Sequence, residues 1–425
     1  MEQIKKWNTR EFFFLRFLIT LFWQASLLIC LEVDRTQQTT LGQMPTLFQP
    51  VIGLPLLFLR SLLITTLIVS PNVSHAILPL PSSETHSAMK GLPFPVMQPA
   101  VGGAGPELDA HGQVLTVPTK MNYVTPDVTE IHVRRDVTGC DSVYEGAQWD
   151  PVELRIHNAR GKSLTLDENG FELRPDEIRE IDFLNTQSVI DDYYPACEAL
   201  LKRVLGPNVA VVKAFDHNVR ISSSSWGDEL KGGGGSKAQV PLGMVHGDYT
   251  KVSGPRRLED LSKPPKANDV LKQRLGETPL LDKTMVEEAN SGKRRFALIN
   301  VWRNIDSDNP VQEFPLGCVD AKTVPYEGLK TLFIHYEDRV GENYFCSYNP
   351  SHGWFYFPEM TYKEALLIKQ WDSHGSFAQS KPDVERSTFA IHSAFVDPTS
   401  PERPAPRKSI EVRCAAIWDK ESDLQ

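Results

Sequence analysis

The chain has 425 residues, 41% of them hydrophobic and 23% charged, with a formal net charge of −9. That length allows one large or two ordinary domains, and the composition is that of a globular protein and not of a disordered one. The acidic balance argues against nucleic acid as a partner, and six scattered cysteines without a CxxC pair argue against a zinc ribbon or a disulfide framework.

The N-terminal region departs from the rest. Residues 17–30 are almost all apolar and follow Lys5, Lys6, Arg10 and Arg16; a second apolar stretch, residues 51–69, contains Pro55 and Arg60. The first is short for a membrane span, the second carries a charge near its middle, and no clean small-residue cleavage site follows the first. Residues 1–78 therefore have three readings: a membrane anchor, a targeting segment, or a mispredicted start of the coding sequence. Asn72-Val73-Ser74 fits a glycosylation acceptor, which matters only in a secreted chain. Residues 79–111, rich in Pro, Ser and Gly, read as a linker, and residues 112–425 as the folded domain.

Within that domain, residues 113–117 and 152–156 alternate as strands do. Residues 188–205 are the clearest helix, with Val189, Ile190, Tyr193, Tyr194, Cys197, Leu200, Leu201 and Val204 at helical spacing and Gly206-Pro207 as the stop. Residues 209–215 read as a strand leading into Asp216, His217 and Arg220. Four consecutive glycines in residues 222–236 belong to no regular element, so this segment reads as a mobile loop and a candidate lid just ahead of His246. A basic turn follows at residues 253–257. Strand signals then cluster at 296–302, 329–336, 344–348, 354–357, 388–395 and 409–418, with one exposed helix expected at 361–370. Many short strands with few helices predict a mainly β fold, a sandwich or barrel with flanking helices.

The chemistry gathers around Val245-His246-Gly247-Asp248-Tyr249-Thr250. On a strand, residues two apart share a face, so His246 and Asp248 are neighbouring ligands for one cation. Two ligands leave the cation undersupplied. His217, His335, His352, His374 and His392 are the candidates for a third, and His392 lies one strand before Arg407-Lys408-Ser409. The order His-x-Asp, a long gap, His, then Arg-x-Ser is that of the facial triad of non-heme iron, two imidazoles and a carboxylate on one face of Fe(II) with the opposite face open. Arg407 would then hold the distal carboxylate of 2-oxoglutarate in a bidentate pair, with the Ser409 hydroxyl adding a hydrogen bond. Arg413, on the same strand at even spacing, is the rival anchor. Asn300 and Trp302 share one strand face and line the cosubstrate or substrate pocket in this reading, the alternative for Trp302 being plain core. A structural ion pair with Asp216 is the simpler use of His217 and Arg220.

The arrangement resembles the Fe(II)/2-oxoglutarate dioxygenases. From residue 112 to the C-terminus the phrases are similar to the fungal hydroxylase/desaturase family that includes gibberellin desaturases, and distantly to the cephalosporin 7α-methoxylation proteins. They are residues 166–171, 215–220, 246–250, 253–257, 299–303, 348–360 and 406–413. The glycine-rich loop and the hydrophobic N-terminus depart from that pattern. The resemblance implies a double-stranded β-helix (jelly-roll) core and His246, Asp248 and His392 as metal ligands. It also implies Fe(2+) and 2-oxoglutarate as cofactors, with O₂ and a small secondary metabolite of a fungal toxin, pigment or hormone-like pathway as substrates. The expected activity is hydroxylation or desaturation. The alternative is a non-redox transferase or partner protein of a natural-product pathway. The expected location is the cytoplasm, with membrane association through residues 1–78 left open.

Overall fold

In the computed structural model, the described residues are 95–101, 105–135, 143–222, 239, 241–267, 269–337 and 339–420. The two N-terminal apolar stretches, the glycosylation sequon and the tetraglycine segment lie outside them. Among the described residues no helix is long and apolar enough to cross a membrane.

Two sheets make the core. The larger runs from edge to edge as β1 (Glu107–Leu108), β2 (Val114–Val124), β4 (Trp149–Asn158), β12 (Trp354–Tyr356), β9 (Leu316–Val319), β14 (His392–Ala394), β7 (His246–Gly247), β11 (Val340–Cys346), β10 (Leu329–His335) and β3 (Glu130–Arg134). The smaller runs as β5 (Phe171–Pro175), β13 (Glu364–Asp372), β8 (Phe296–Asn304), β15 (Lys408–Trp418) and β6 (Val209–Ile221). This is the double-stranded β-helix expected from the sequence, with long crossovers between neighbouring strands. The segment read as linker contributes β1, which pairs with β2 through Leu108 and Val114.

Alternation explains the smaller sheet. Ile410, Val412 and Cys414 of β15, Ile299 and Val301 of β8, and Val212 and Ala214 of β6 face outward into one apolar layer. The helix α1 (Tyr194–Leu205) closes that layer with Tyr194, Cys197, Leu200 and Leu201, entered through a π-helical turn, Val189–Tyr193. The intervening positions face the other sheet. Register sets Ser409, Glu411 and Arg413 against Asn304, Trp302 and Asn300 on one side, and against Arg220, Asn218 and Asp216 on the other. Polar residues thus occupy the inner face where apolar ones would ordinarily pack, and that reversal marks the site.

Two expectations are corrected. Residues 361–370 do not form an exposed helix; most of them belong to β13, whose residues 365–372 are all buried. A strand covered on both faces reads as a continuous apolar run, which periodicity cannot separate from a helix. Residues 253–257 are not a turn but the start of α2 (Ser253–Leu261). The Thr250 hydroxyl accepts from the Ser253 backbone at 3.0 Å while the Ser253 hydroxyl accepts from the Thr250 backbone at 2.8 Å, a reciprocal cap. Pro255 falls in the first turn, where its missing N–H leaves no bond unmade. Gly254 is required by packing, since a Cβ there would lie 2.8 Å from Cγ of Trp371.

Candidate active site

His246, Asp248 and His392 come together from strands distant in sequence. His392 stands directly opposite His246 across the β14–β7 pair, and the ring centroids are 4.4 Å apart. Asp248 follows β7 on the same face, with Oδ1 3.8 Å from Nε2 of His246. One ligand atom from each of the three lies within 4.8 Å of the others, the only such group of three or more among the described residues.

Each ligand is aimed by a second contact. Nδ1 of His246 lies 2.7 Å from the Met244 carbonyl, and Nδ1 of His392 lies 3.3 Å from that of Ala390. A carbonyl only accepts, so each Nδ1 carries the proton and each Nε2 keeps its lone pair for a metal. The Asn300 amide donates to Oδ2 of Asp248 at 2.9 Å, and the Asp248 backbone N–H donates to Oε1 of Gln370 at 3.3 Å. Gln370 points there because it is an extra residue in the pairing of β13 with β8, a bulge that re-aims a side chain.

The electrostatics suit a cation. Burial, reinforced by the neighbouring His392, lowers His246 to about 4, and burial lowers His392 as well, so both imidazoles are neutral at pH 7. Burial alone would raise the Asp248 carboxyl, but Arg413, the two histidines and Asn300 outweigh it and hold the group below its ordinary range. Two neutral imidazoles and one carboxylate in a buried cluster fit Fe(II).

Beside the triad lies a second polar wall. Arg407 is 2% exposed, and its guanidinium stands 5.7 Å from the Trp302 ring centroid. Burial, then the charge of Arg220, lowers its pKa to about 9. Its Nη1 donates to the Phe314 carbonyl at 2.5 Å, while its Nε and the Ser409 Oγ are buried with no protein partner. A buried cation and hydroxyl left unsatisfied fit the distal carboxylate of 2-oxoglutarate. The rival Arg413 is differently placed. Its Nη1 pairs with Asp216 at 2.9 Å, its Nη2 with Glu411 at 3.3 Å, and its Nε lies 3.9 Å from Asp248.

Of the residues named from sequence, His246, Asp248 and His392 gather on and beside β7 and β14 of the larger sheet, while Asn300, Trp302, Ser409 and, just ahead of β15, Arg407 belong to the smaller sheet's face turned toward it. His217 turns away, bonding to the Tyr194 hydroxyl at 2.8 Å. Arg303 also turns away, into a buried ion pair with Asp176. Arg413 makes an ion pair with Asp216 at 2.9 Å. Sequence reasoning missed Gln370 and Glu411. Glu411 shares the inner face with Ser409 and Arg413, and burial and the charge of Asp248 raise its carboxyl. Its even spacing between those two was the available signal.

Comparison with known proteins points to oxidoreductases of the iron and 2-oxoglutarate class. The chain is 37% identical over 201 residues to an uncharacterized protein in the dcmA 3′ region of Methylophilus leisingeri, covering 45% of this chain and 92% of that one. It is 28% identical to the Fe(II)/2-oxoglutarate-dependent dioxygenase nvfI of Aspergillus novofumigatus over 63% of this chain and 83% of the relative. With the hydroxylase/desaturase efuI of Hormonema carpetanum it shares 26% identity over 73% of this chain and 98% of the relative. The fold is shared with the solved iron and alpha-ketoglutarate-dependent endoperoxidase NvfI, with TM-score 0.55 and 23% identity over 73% of this chain and all of that one. A family model described as the oxidoreductase/YMDC permease-like domain matches residues 121–278 and 276–417, more than half of the sequence, and the chain belongs to that family.

Proposed function

We propose that this protein is an Fe(II)/2-oxoglutarate-dependent dioxygenase that hydroxylates or desaturates a small secondary metabolite. The observation that carries the reading is a pairing of two features on the facing sheets: three metal-directed ligand atoms within 4.8 Å on the larger sheet, and a buried arginine and serine with unsatisfied donors on the smaller one. The fungal relatives named as Fe(II)/2-oxoglutarate-dependent dioxygenases and hydroxylase/desaturases support the same class.

His246 and His392 offer Nε2, and Asp248 offers Oδ1, to Fe(II). Asn300 and Gln370 fix the aspartate, and Arg407 with Ser409 binds the distal carboxylate of 2-oxoglutarate. Bound together, iron and 2-oxoglutarate supply the activation of O₂ needed to break a substrate C–H bond. The surrounding protein excludes water: Phe171, Leu366, Ile368 and Trp302 from the smaller sheet pack against Cys318 and Ala390, the last just ahead of β14. Arg413 keeps Asp248 ionised, so the cation meets a carboxylate and not a carboxylic acid.

A non-redox transferase or partner protein would have no use for a triad with one face left open, and no contact in the site favours it. Residues 1–78 are the route by which the chain would reach a membrane; without that contact it acts in the cytoplasm. The test is oxygen consumption by the purified protein with Fe(II), 2-oxoglutarate and extracts of candidate metabolites. The reading expects succinate to appear in step with oxygen loss. Absence of both, with Fe(II) and 2-oxoglutarate shown to be bound, contradicts it.

A further inference from the structure

Arg407 is held by an unusual piece of backbone. Between β8 and β9 the chain makes a bend in which Phe314 adopts φ +47°, the left-handed region that side chains other than glycine and asparagine rarely occupy. That conformation presents the Phe314 carbonyl to Nη1 of Arg407. The bend is stapled on both sides. The Gln312 carbonyl accepts from the Ser400 hydroxyl at 2.5 Å, and its side-chain oxygen accepts from the Ala405 backbone at 2.8 Å. The Pro315 carbonyl accepts from the Phe395 backbone at 3.2 Å. Glu313 accepts a hydrogen bond from Ser222, whose Oγ in turn accepts the Arg407 backbone N–H at 2.7 Å.

We infer that residues 312–315 are a positioning element that decides which edge of the Arg407 guanidinium meets the cosubstrate, an inference that rests on the reading of Arg407 as the anchor. Nη1 donates one of its two N–H groups to the Phe314 carbonyl and Nε is buried without a partner, which favours the Nε/Nη2 edge for a ligand. A planar carboxylate meets that edge with two parallel N–H···O bonds. Ser409 Oγ, also without a partner, lies two residues on along the same strand face and completes the cradle. The backbone conformation at Phe314 thus holds the anchor in one orientation before any ligand arrives, which spares the ligand the ordering of a long side chain.

The test compares Phe314→Gly, which tolerates φ +47° freely, with Phe314→Val, whose β-branch disfavours it. Both lose the phenyl ring, so their difference isolates the backbone. Binding is measured by calorimetry on the full chain loaded with Mn(II). The two probes are 2-oxoglutarate and 2-oxobutyrate, an oxo acid without the distal carboxylate. Phe314→Gly should bind 2-oxoglutarate within about twofold of wild type, and Phe314→Val about tenfold more weakly, while 2-oxobutyrate binds all three alike. Equal 2-oxoglutarate affinity in the two variants overturns the inference, as does a loss for both acids. Arg407→Ala separates the two levels of the argument. If it binds 2-oxoglutarate as wild type does, the anchor reading itself fails. If it weakens binding while valine and glycine match, only the positioning role fails. Should Phe314→Val not fold, Ser222→Ala carries the same expectation, and an unchanged affinity for 2-oxoglutarate, or an equal loss for both acids, in that variant overturns the inference.

Discussion

The Asn300 side-chain amide donates to Oδ2 of Asp248 at 2.9 Å, which leaves Oδ1 as the oxygen turned toward Nε2 of His246, 3.8 Å away. One oxygen is spoken for by the protein and the other is offered to the metal. Groups that orient a ligand typically contribute about 10–100-fold in metal affinity. Asn300→Ala should therefore weaken Mn(II) binding by about that factor, measured by competition with a fluorescent chelator, with little change in the unfolding midpoint. Unchanged affinity would mean that Asp248 is held by Gln370 and Arg413 without help.

Acid should destabilise the metal-free protein through the buried imidazoles. His246 titrates near 6.5 when unfolded and at about 4 in the fold, where burial and His392 oppose its charge. The native state therefore binds fewer protons than the unfolded one between these values, and stability is lost as pH falls through that window. It is constant with respect to this group above pH 6.5. The span corresponds to about 3 kcal/mol for His246. Urea unfolding between pH 7 and pH 4 should show a smaller loss in His246→Gln than in wild type. Parallel pH profiles in the two proteins would contradict the assignment.

Much of this was legible from the residue order, and the failures have physical causes. His246 with Asp248, and Arg407 with Ser409, could be paired because residues two apart on a strand share a face, and His392 stood out by its place one strand before Arg-x-Ser; within β15 the register sets Ser409, Glu411 and Arg413 at alternate positions. Segment 361–370 could not be read, because β13 is covered on both sides and its apolar residues follow no period. Gln370 was out of reach for a related reason: its aim at Asp248 depends on one extra residue in the β13–β8 register, which alternation cannot foresee. The bend at Phe314 is likewise invisible, since nothing about a phenylalanine before a proline announces a positive φ.

Arg303, next to Trp302 on β8, is a polar residue that serves structure alone. Fully buried, it pairs with Asp176 at 2.5 Å through Nη2, donates from Nη1 to the Tyr362 carbonyl at 2.6 Å and from Nε to the Tyr193 hydroxyl at 3.1 Å. Removing one partner of a buried pair strands the other. Arg303→Ala should lower stability by about 3–5 kcal/mol in urea denaturation. The folded fraction should still bind Mn(II) with wild-type affinity, because Arg303 points away from the triad. A selective loss of metal binding without destabilisation would place it in the site.

The central claim is that the two facing sheets together hold iron and 2-oxoglutarate. Its most direct test is the visible absorption spectrum of the full chain mixed anaerobically with Fe(II) and 2-oxoglutarate. Chelation of the metal by the oxo acid gives a weak charge-transfer band that neither component shows alone. The account predicts this band in the wild-type protein and its loss in His246→Ala. No band in the wild type, or an equal band in the His246→Ala variant, would contradict it.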